Sequence, residues 1–284
     1  MNKSKFKLSV KDHSVSQEVF QLLYNEDYRM LETFPKPSLE KMPEYYQSSD
    51  YISHTDSERN LFEKTYQFIK RISLERKLKL INAYTFKDKT LLDIGCGTGD
   101  FLRIAQENKW DVTGIEPNQK AREIANKKIN GQVFNIDSLT EFQNGSFQII
   151  TLWHVLEHVY DLQNHIKTIK DLLKKDGAII VAVPNYKSFD ANYYKEFWAA
   201  YDAPRHLWHF SQESIKKLFG EIDMSVQEIK PMLFDAFYVS LLSEKYKTKR
   251  MNIFRAFFIG AYSNVKAMRT KEYSSLIYII KNNI

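Results

Sequence analysis

Leu91-Leu92-Asp93-Ile94-Gly95-Cys96-Gly97-Thr98-Gly99-Asp100 is the stretch whose reading decides the fold. An apolar run from Thr90 to Ile94 stops at three glycines on alternate positions, and a helix-compatible segment, Asp100 to Asn108, follows at once. That pattern predicts a buried parallel strand, a tight turn and a helix start. Glycine suits such a turn because it tolerates positive φ and lets a ligand approach the backbone. The free N–H groups of the turn and of the helix start then face whatever lies above the strand.

The glycine frame restricts the ligand. A dinucleotide fingerprint needs Gly-x-Gly-x-x-Gly, but after Gly95 and Gly97 the third position is Asp100 and the glycine stands at 99. A carboxylate would then sit where a pyrophosphate binds. This argues against a nucleotide-dependent oxidoreductase and for a ligand with a sugar, a base and a zwitterionic tail.

Leu-Leu-Asp-Ile-Gly-Cys-Gly-Thr-Gly resembles the glycine-rich motif of class I S-adenosylmethionine-dependent methyltransferases. The context supports the likeness. A second strand, Asp111 to Ile115, ends in Glu116-Pro117, and a carboxylate there can accept from both hydroxyls of a ribose. The resemblance implies a Rossmann-like α/β fold: seven strands, mostly parallel, the last antiparallel, with helices on both faces. It implies S-adenosylmethionine as cofactor, bordered by Asp93, Gly95, Cys96, Gly97, Gly99, Glu116, Pro117, Asp137, Ser138, Trp153 and His154. Asp137 and Ser138, after a third strand at Gln132 to Ile136, would flank the adenine; a turn role competes for Asp137.

Further strands are expected at Phe147 to Trp153 and Ala178 to Val183, with helices over 118–128 and 161–173. This alternation dictates a parallel sheet covered on both sides. His154-Val155-Leu156-Glu157-His158 follows the fourth strand, so His154 falls at the ligand crevice; capping or a core hydrogen bond suits His158. A strand near Ser225 to Ile229, helices over 234–246 and 251–267, and a last strand from Ser274 to Ile280 complete the expectation.

Two segments stand apart. Residues 1–56 hold Pro35, Pro37 and Pro43 and short strand-like pieces, Val19 to Tyr24 and Tyr28 to Thr33. Some methyltransferases of this kind carry a zinc-ribbon-like N-terminal module ending in Pro-x-Pro and a Tyr-Tyr pair, and Pro35-Lys36-Pro37 and Tyr45-Tyr46 are similar to that ending. With Cys96 the one cysteine, the extension reads as a metal-free remnant and no metal site is expected. The domain from 57 to 284 then opens on a helical pattern capped by Asp56 or Ser57, with Tyr51 and His54 just before it.

The second segment, 186–210, is dense in rings, among them Tyr193, Tyr194, Phe197, Trp198, Tyr201, Trp208 and Phe210. Rings in that number demand burial. The resemblance makes this insertion an acceptor-side wall or lid, with Asp202-x-Pro-Arg-His-Leu-x-His-Phe-Ser211 as a characteristic stretch. If a base must deprotonate the acceptor, His154, His206 and His209 are candidates, with Arg205 to orient it. The alternative is that Arg205 pairs with a carboxylate and the histidines only cap and pack.

The 284 residues carry a net charge of +6, with 43% hydrophobic and 27% charged residues. The lysines are scattered rather than clustered, so no nucleic-acid partner is expected. A basic surface suits an anionic or sugar-containing small-molecule acceptor. Met1 to Val10 lacks the apolar core of a leader and no uncharged run reaches the ~18 residues of a membrane span, so a cytoplasmic location is expected. The function expected is methyl transfer to a small-molecule, saccharide or lipid-linked acceptor. A non-catalytic module that kept the fold is the remaining rival.

Overall fold

The computed structural model describes residues 4–46, 61–84, 88–130 and 132–283. Tyr51, His54 and the helix cap at Asp56 or Ser57 lie outside them. The central sheet contains β4 (Thr90–Ile94), β5 (Asp111–Ile115), β6 (Val133–Phe134), β7 (Phe147–Trp153), β8 (Leu173–Pro184), β10 (Met224–Pro231) and β11 (Ser275–Asn282). Their order is β10-β11-β8-β7-β4-β5-β6. Neighbours from β8 to β6 are parallel, and β11 runs antiparallel to both β8 and β10. This is the Rossmann-like methyltransferase fold with its antiparallel last strand.

Side-chain alternation explains the two covered faces. Leu92, Ile94, Ile150, Leu152, Ile179 and Val181 enter one core, shared with α4 (Leu162–Leu172) and α6 (Gln212–Gly220). Leu91, Ile149, Trp153, Ala178 and Ile180 enter the other, beneath α1 (Leu61–Asn82), α2 (Asp100–Glu107) and α3 (Gln119–Lys128). Connections from β4 leave for β5 on one side while β7 lies on the other, so a crevice opens at the carboxyl end of β4.

Some boundaries differ from the expectation. The third strand shrinks to Val133–Phe134 because a 3-10 turn, Ile136–Thr140, takes over. Gly177 lies within β8 rather than before it, at the end of an irregularity where Lys174 to Gly177 bulge out of register between the Phe147–Leu173 and Ile149–Ala178 pairs. An added Cβ there would meet the Gln148 carbonyl at 2.7 Å, so glycine serves close strand packing.

The N-terminal extension contributes β1 (Ser4–Lys11), β2 (Val19–Asn25) and β3 (Met30–Phe34). These form an antiparallel sheet completed by β9 (Trp208–His209), which comes from the aromatic insertion. The insertion's rings are shared between two cores, Phe210 and Trp208 going to that of α4 and α6 and most of the rest gathering here. Tyr194, on α5 (Phe189–Tyr194), packs with Trp198 and Tyr201 in one core with Val10, Phe20, Leu22 and Leu31. Two helices, α7 (Asp235–Thr248) and α8 (Ile253–Thr270), precede the last strand.

Candidate active site

β4 gives way to Gly95, whose φ of +71° already favours glycine. A Cβ there would lie 2.4 Å from Val155 Cγ2, so the second residue after the β7 end presses on the turn. Gly97, at φ +56°, differs: an added Cβ would meet nothing within 4 Å, so its backbone faces open space. Gly99 is the N-cap of α2, and Cys96 lies buried beside the turn, where burial pushes its thiol up.

Glu116, buried at the end of β5, accepts from the Gly97 N–H through Oε2 and from the Asn118 N–H through Oε1, both at 2.8 Å. Burial raises its pKa while these amides pull it down. The carboxylate fixes the turn, and each oxygen keeps a lone pair for a ligand hydroxyl. Pro117 is exposed beside it. Asp137 and Ser138 sit on the 3-10 turn, where Asp137 accepts from Asn135 Nδ2 at 2.8 Å. Asp100 is clasped by Lys70 at 2.7 Å and Lys128 at 2.6 Å, which hold its carboxyl below the usual range against burial.

Beneath the crevice, burial lifts Asp93 to about 7, although Thr151 Oγ1 donates to it at 2.6 Å and Lys77 opposes the rise. Lys77 comes from α1 and stands 4.4 Å above the Trp153 ring. Burial lowers it to about 8 against the pull of Asp93 and Asp235. Trp153, edge-on to Phe101, has a buried Nε1 with no partner among the described residues. The lone N–H, the open face of Gly97 and the spare lone pairs of Glu116 fit a polar, hydroxyl-bearing ligand over the turn.

His154 adopts φ +57°, pinned by its N–H donating to the Ala182 carbonyl at 2.9 Å. Its Nδ1 lies 3.3 Å from Glu157 Oε1 and its Nε2 3.0 Å from Asp235 Oδ2. Burial lowers its pKa, but the two carboxylates outweigh that and bring it to about 10. The ring is therefore an imidazolium with both nitrogens engaged. Glu157 is fully buried, and one of its carboxylate oxygens comes within 4.8 Å of ring nitrogens of His158 and His206.

The other expected residues gather away from the turn. His206 Nδ1 lies 2.8 Å from the Ala200 carbonyl. His209 Nε2 is 3.0 Å from Thr33 Oγ1 on β3, and burial pushes this histidine down to about 3. Arg205 pairs with Asp202 and donates to Ser14 Oγ at 2.9 Å. His158 Nδ1 meets the Arg205 carbonyl at 3.0 Å, and its pKa falls to about 4 through burial. Thus Asp93, the glycines, Glu116, Trp153 and His154 come together, His206 touches them only across Glu157, and Arg205 and His209 stitch the insertion to the N-terminal sheet. Sequence reasoning missed Lys77, Glu157 and Asp235. Glu157 stood in the Val-Leu-Glu-His stretch already noticed; Lys77 and Asp235 gave no local signal.

A methyltransferase-domain family matches residues 59–229 of the chain. The chain belongs to this methyltransferase family. Its class I members use S-adenosylmethionine, and the carboxylate, turn and orphaned indole described above are the groups that would hold it. Among curated methyltransferases, the ubiquinone biosynthesis O-methyltransferase of Coxiella burnetii is 32% identical over 124 residues, covering 41% of this chain and 52% of that one. The demethylmenaquinone methyltransferase of Lactobacillus johnsonii is 32% identical over 139 residues, covering 44% and 54%. The chain thus spans about half the length of the curated relatives it matches. Two solved methyltransferases share the fold. An S-adenosylmethionine-dependent methyltransferase from Archaeoglobus fulgidus aligns with TM-score 0.52 at 17% identity, over 78% of this chain and 98% of that one. Geranyl diphosphate C-methyltransferase from Streptomyces coelicolor aligns with TM-score 0.54 at 15% identity, over 80% and 88%.

Proposed function

We propose that this methyltransferase methylates a small-molecule, saccharide or lipid-linked acceptor that reacts as an anion, such as a phenolate or enolate. The observation that carries this reading is the doubly engaged imidazolium of His154 at the β7 end, beside the glycine turn. S-adenosylmethionine supplies an already activated methyl group, so the protein's work is positioning, water exclusion and charge placement. A cationic ring next to the acceptor stabilises its anionic form, lowering its pKa without a proton transfer to the histidine. His154 then serves as electrostatic partner rather than as base, and Asp235 and Glu157 keep it charged. The relatives named for quinone pathways and the geranyl diphosphate enzyme fit an acceptor with a large apolar body.

For the donor, Glu116 takes the ribose hydroxyls. Asp93, Gly95, Cys96, Gly97, Gly99, Pro117, Asp137, Ser138 and Trp153 border the remainder. The insertion and the N-terminal extension act as one clasp, in which Arg205, His206 and His209 position the β9 strand and, through Glu157, the catalytic ring.

The test is single-turnover methylation of a phenol series of graded acidity by the parent and by His154→Gln. The parent should methylate acidic and weakly acidic phenols alike, while the variant loses on the order of a hundredfold with the weakest acids and much less with the strongest. An equal loss across the series would remove the electrostatic role.

A further inference from the structure

Helix α8 is built inside out. The residues it turns toward the protein are small: Ala256, Gly260, Ser263 and Ala267 are buried. A Cβ on Gly260 would lie 2.9 Å from the Ala236 carbonyl and 3.0 Å from the Phe237 Cα, so α8 and α7 run backbone against backbone. The large apolar side chains point the other way. Phe254, Phe258, Val265 and Met268, spaced by four, seven and three residues, share one face, with Phe257 and Tyr262 at its borders, and all of them are exposed. Phe254 is 81% and Phe258 69% exposed. An apolar stripe of this length on the outside of a folded chain marks a surface that meets something apolar.

The charges identify the partner. Between 245 and 271 stand Lys245, Lys247, Lys249, Arg250, Arg255, Lys266, Arg269 and Lys271, with no aspartate or glutamate among them. Glu244 and Glu272 border the span, and Glu244 pairs with Arg255 at 3.2 Å, so the basic flank consists of the residues other than Arg255. Arg269 and Lys266 flank the stripe along one side, while Lys249 and Arg250 stand just ahead of it. A second copy of the chain would bring this basic flank against its own image, which like charges oppose. No helix of the described residues is long and apolar enough to cross a membrane. A basic helix with one aromatic face instead lies in the plane of a bilayer surface.

We propose that the outward face of α8 docks on an anionic lipid surface, with Phe254, Phe257, Phe258, Val265 and Met268 seated among the acyl chains and the lysines and arginines at the headgroups. This surface lies on the partner helix of α7, whose first residue, Asp235, holds His154. Docking therefore rests against the element that completes the candidate catalytic ring.

The experiment is co-sedimentation of the full chain with vesicles of equal parts phosphatidylglycerol and phosphatidylcholine, and with vesicles of phosphatidylcholine alone. Binding to the anionic vesicles is expected, weakened by salt. Phe254→Ser combined with Phe258→Ser should reduce partitioning by about tenfold or more, given ~0.8 kcal/mol for each buried CH2. Lys266→Glu combined with Arg269→Glu should lower it about thirtyfold or more, through loss of ~1 kcal/mol per basic residue near the surface and added repulsion. Melting curves and S-adenosylhomocysteine binding that match the parent establish that each double variant is folded. Three results would overturn the proposal: no sedimentation with either vesicle, undiminished binding by both folded double variants, or a dimer in light scattering that the serine variant dissolves while vesicles bind neither form.

Discussion

Asp235 Oδ2 lies 3.0 Å from Nε2 of His154, joining the start of α7 to the carboxyl end of β7. Because Glu157 engages the other nitrogen, the ring needs both its protons to satisfy its neighbours. The pKa of about 10 follows from that geometry and sets a direction for pH. The folded protein holds this proton more tightly than the unfolded chain, so the contribution to stability is complete below about 6.5 and fades as pH rises through 10.

Asp235→Asn should therefore lower stability by on the order of 1 kcal/mol at pH 6, a modest figure because solvent reaches part of the ring. The gap between parent and variant should close by pH 10. Denaturant titrations at pH 6, 8 and 10 measure it, and a gap that widened with pH would show the ring to be neutral in the folded protein.

Below neutrality the sign reverses for three other histidines. His158, His165 and His209 have pKa values brought to about 4, about 4 and about 3 by burial, so the unfolded chain binds protons that the folded one refuses. Stability should fall as pH drops below about 6.5, at up to ~1.4 kcal/mol per pH unit for each group. His209→Gln should flatten this slope by about one proton, read from melting temperatures between pH 7 and pH 4.5.

Glu116→Ala removes the acceptor of the Gly97 and Asn118 amides and the carboxylate assigned to the ribose. Donor affinity should fall by about ten- to a hundredfold, for charge-assisted hydrogen bonds worth ~1.5–3 kcal/mol each. Calorimetry with S-adenosylhomocysteine measures this, and an unchanged affinity would displace Glu116 from the site.

Gly95→Ala forces a Cβ to 2.4 Å from Val155 Cγ2 at a backbone angle that alanine resists. A cost of about 2–3 kcal/mol is expected. Adding Val155→Ala should recover the steric part and leave about 1 kcal/mol of backbone strain. A double variant no better than Gly95→Ala alone would mean that φ, and not the contact, requires glycine there.

How far the sequence carried the reading varies by element. β4 and β7 were legible to the residue because their apolar runs are buried and end at ligand-side turns, and β5 because Val112 to Ile115 leads into Glu116-Pro117. β1 was missed although Phe6, Leu8 and Val10 alternate with lysines and serine, the pattern of a half-buried strand; the stretch was weighed only for the apolar core of a leader, which its lysines exclude. The length of β8 was hidden because Lys174-Lys175-Asp176-Gly177 carries the composition of a turn, and these residues do bulge between the Leu173 and Ala178 pairings with β7. In the site, the turn and Glu116 are local and were visible. The His154–Asp235 and Lys77–Trp153 relationships were not, since each joins residues far apart in the chain that only the folded sheet brings together.

The sheet formed by β1, β2, β3 and β9 bears on how the protein is made. β3 leaves the ribosome at Phe34, but its last partner, Trp208–His209, is synthesised on the order of ten to thirty-five seconds later at ordinary translation rates. Through that interval the nascent hairpin presents an unpaired edge and an uncovered apolar side, since Tyr194, Trp198 and Tyr201 have yet to emerge. Folding of this sheet thus cannot proceed strictly in chain order: its first three strands wait for a partner from the middle of the chain.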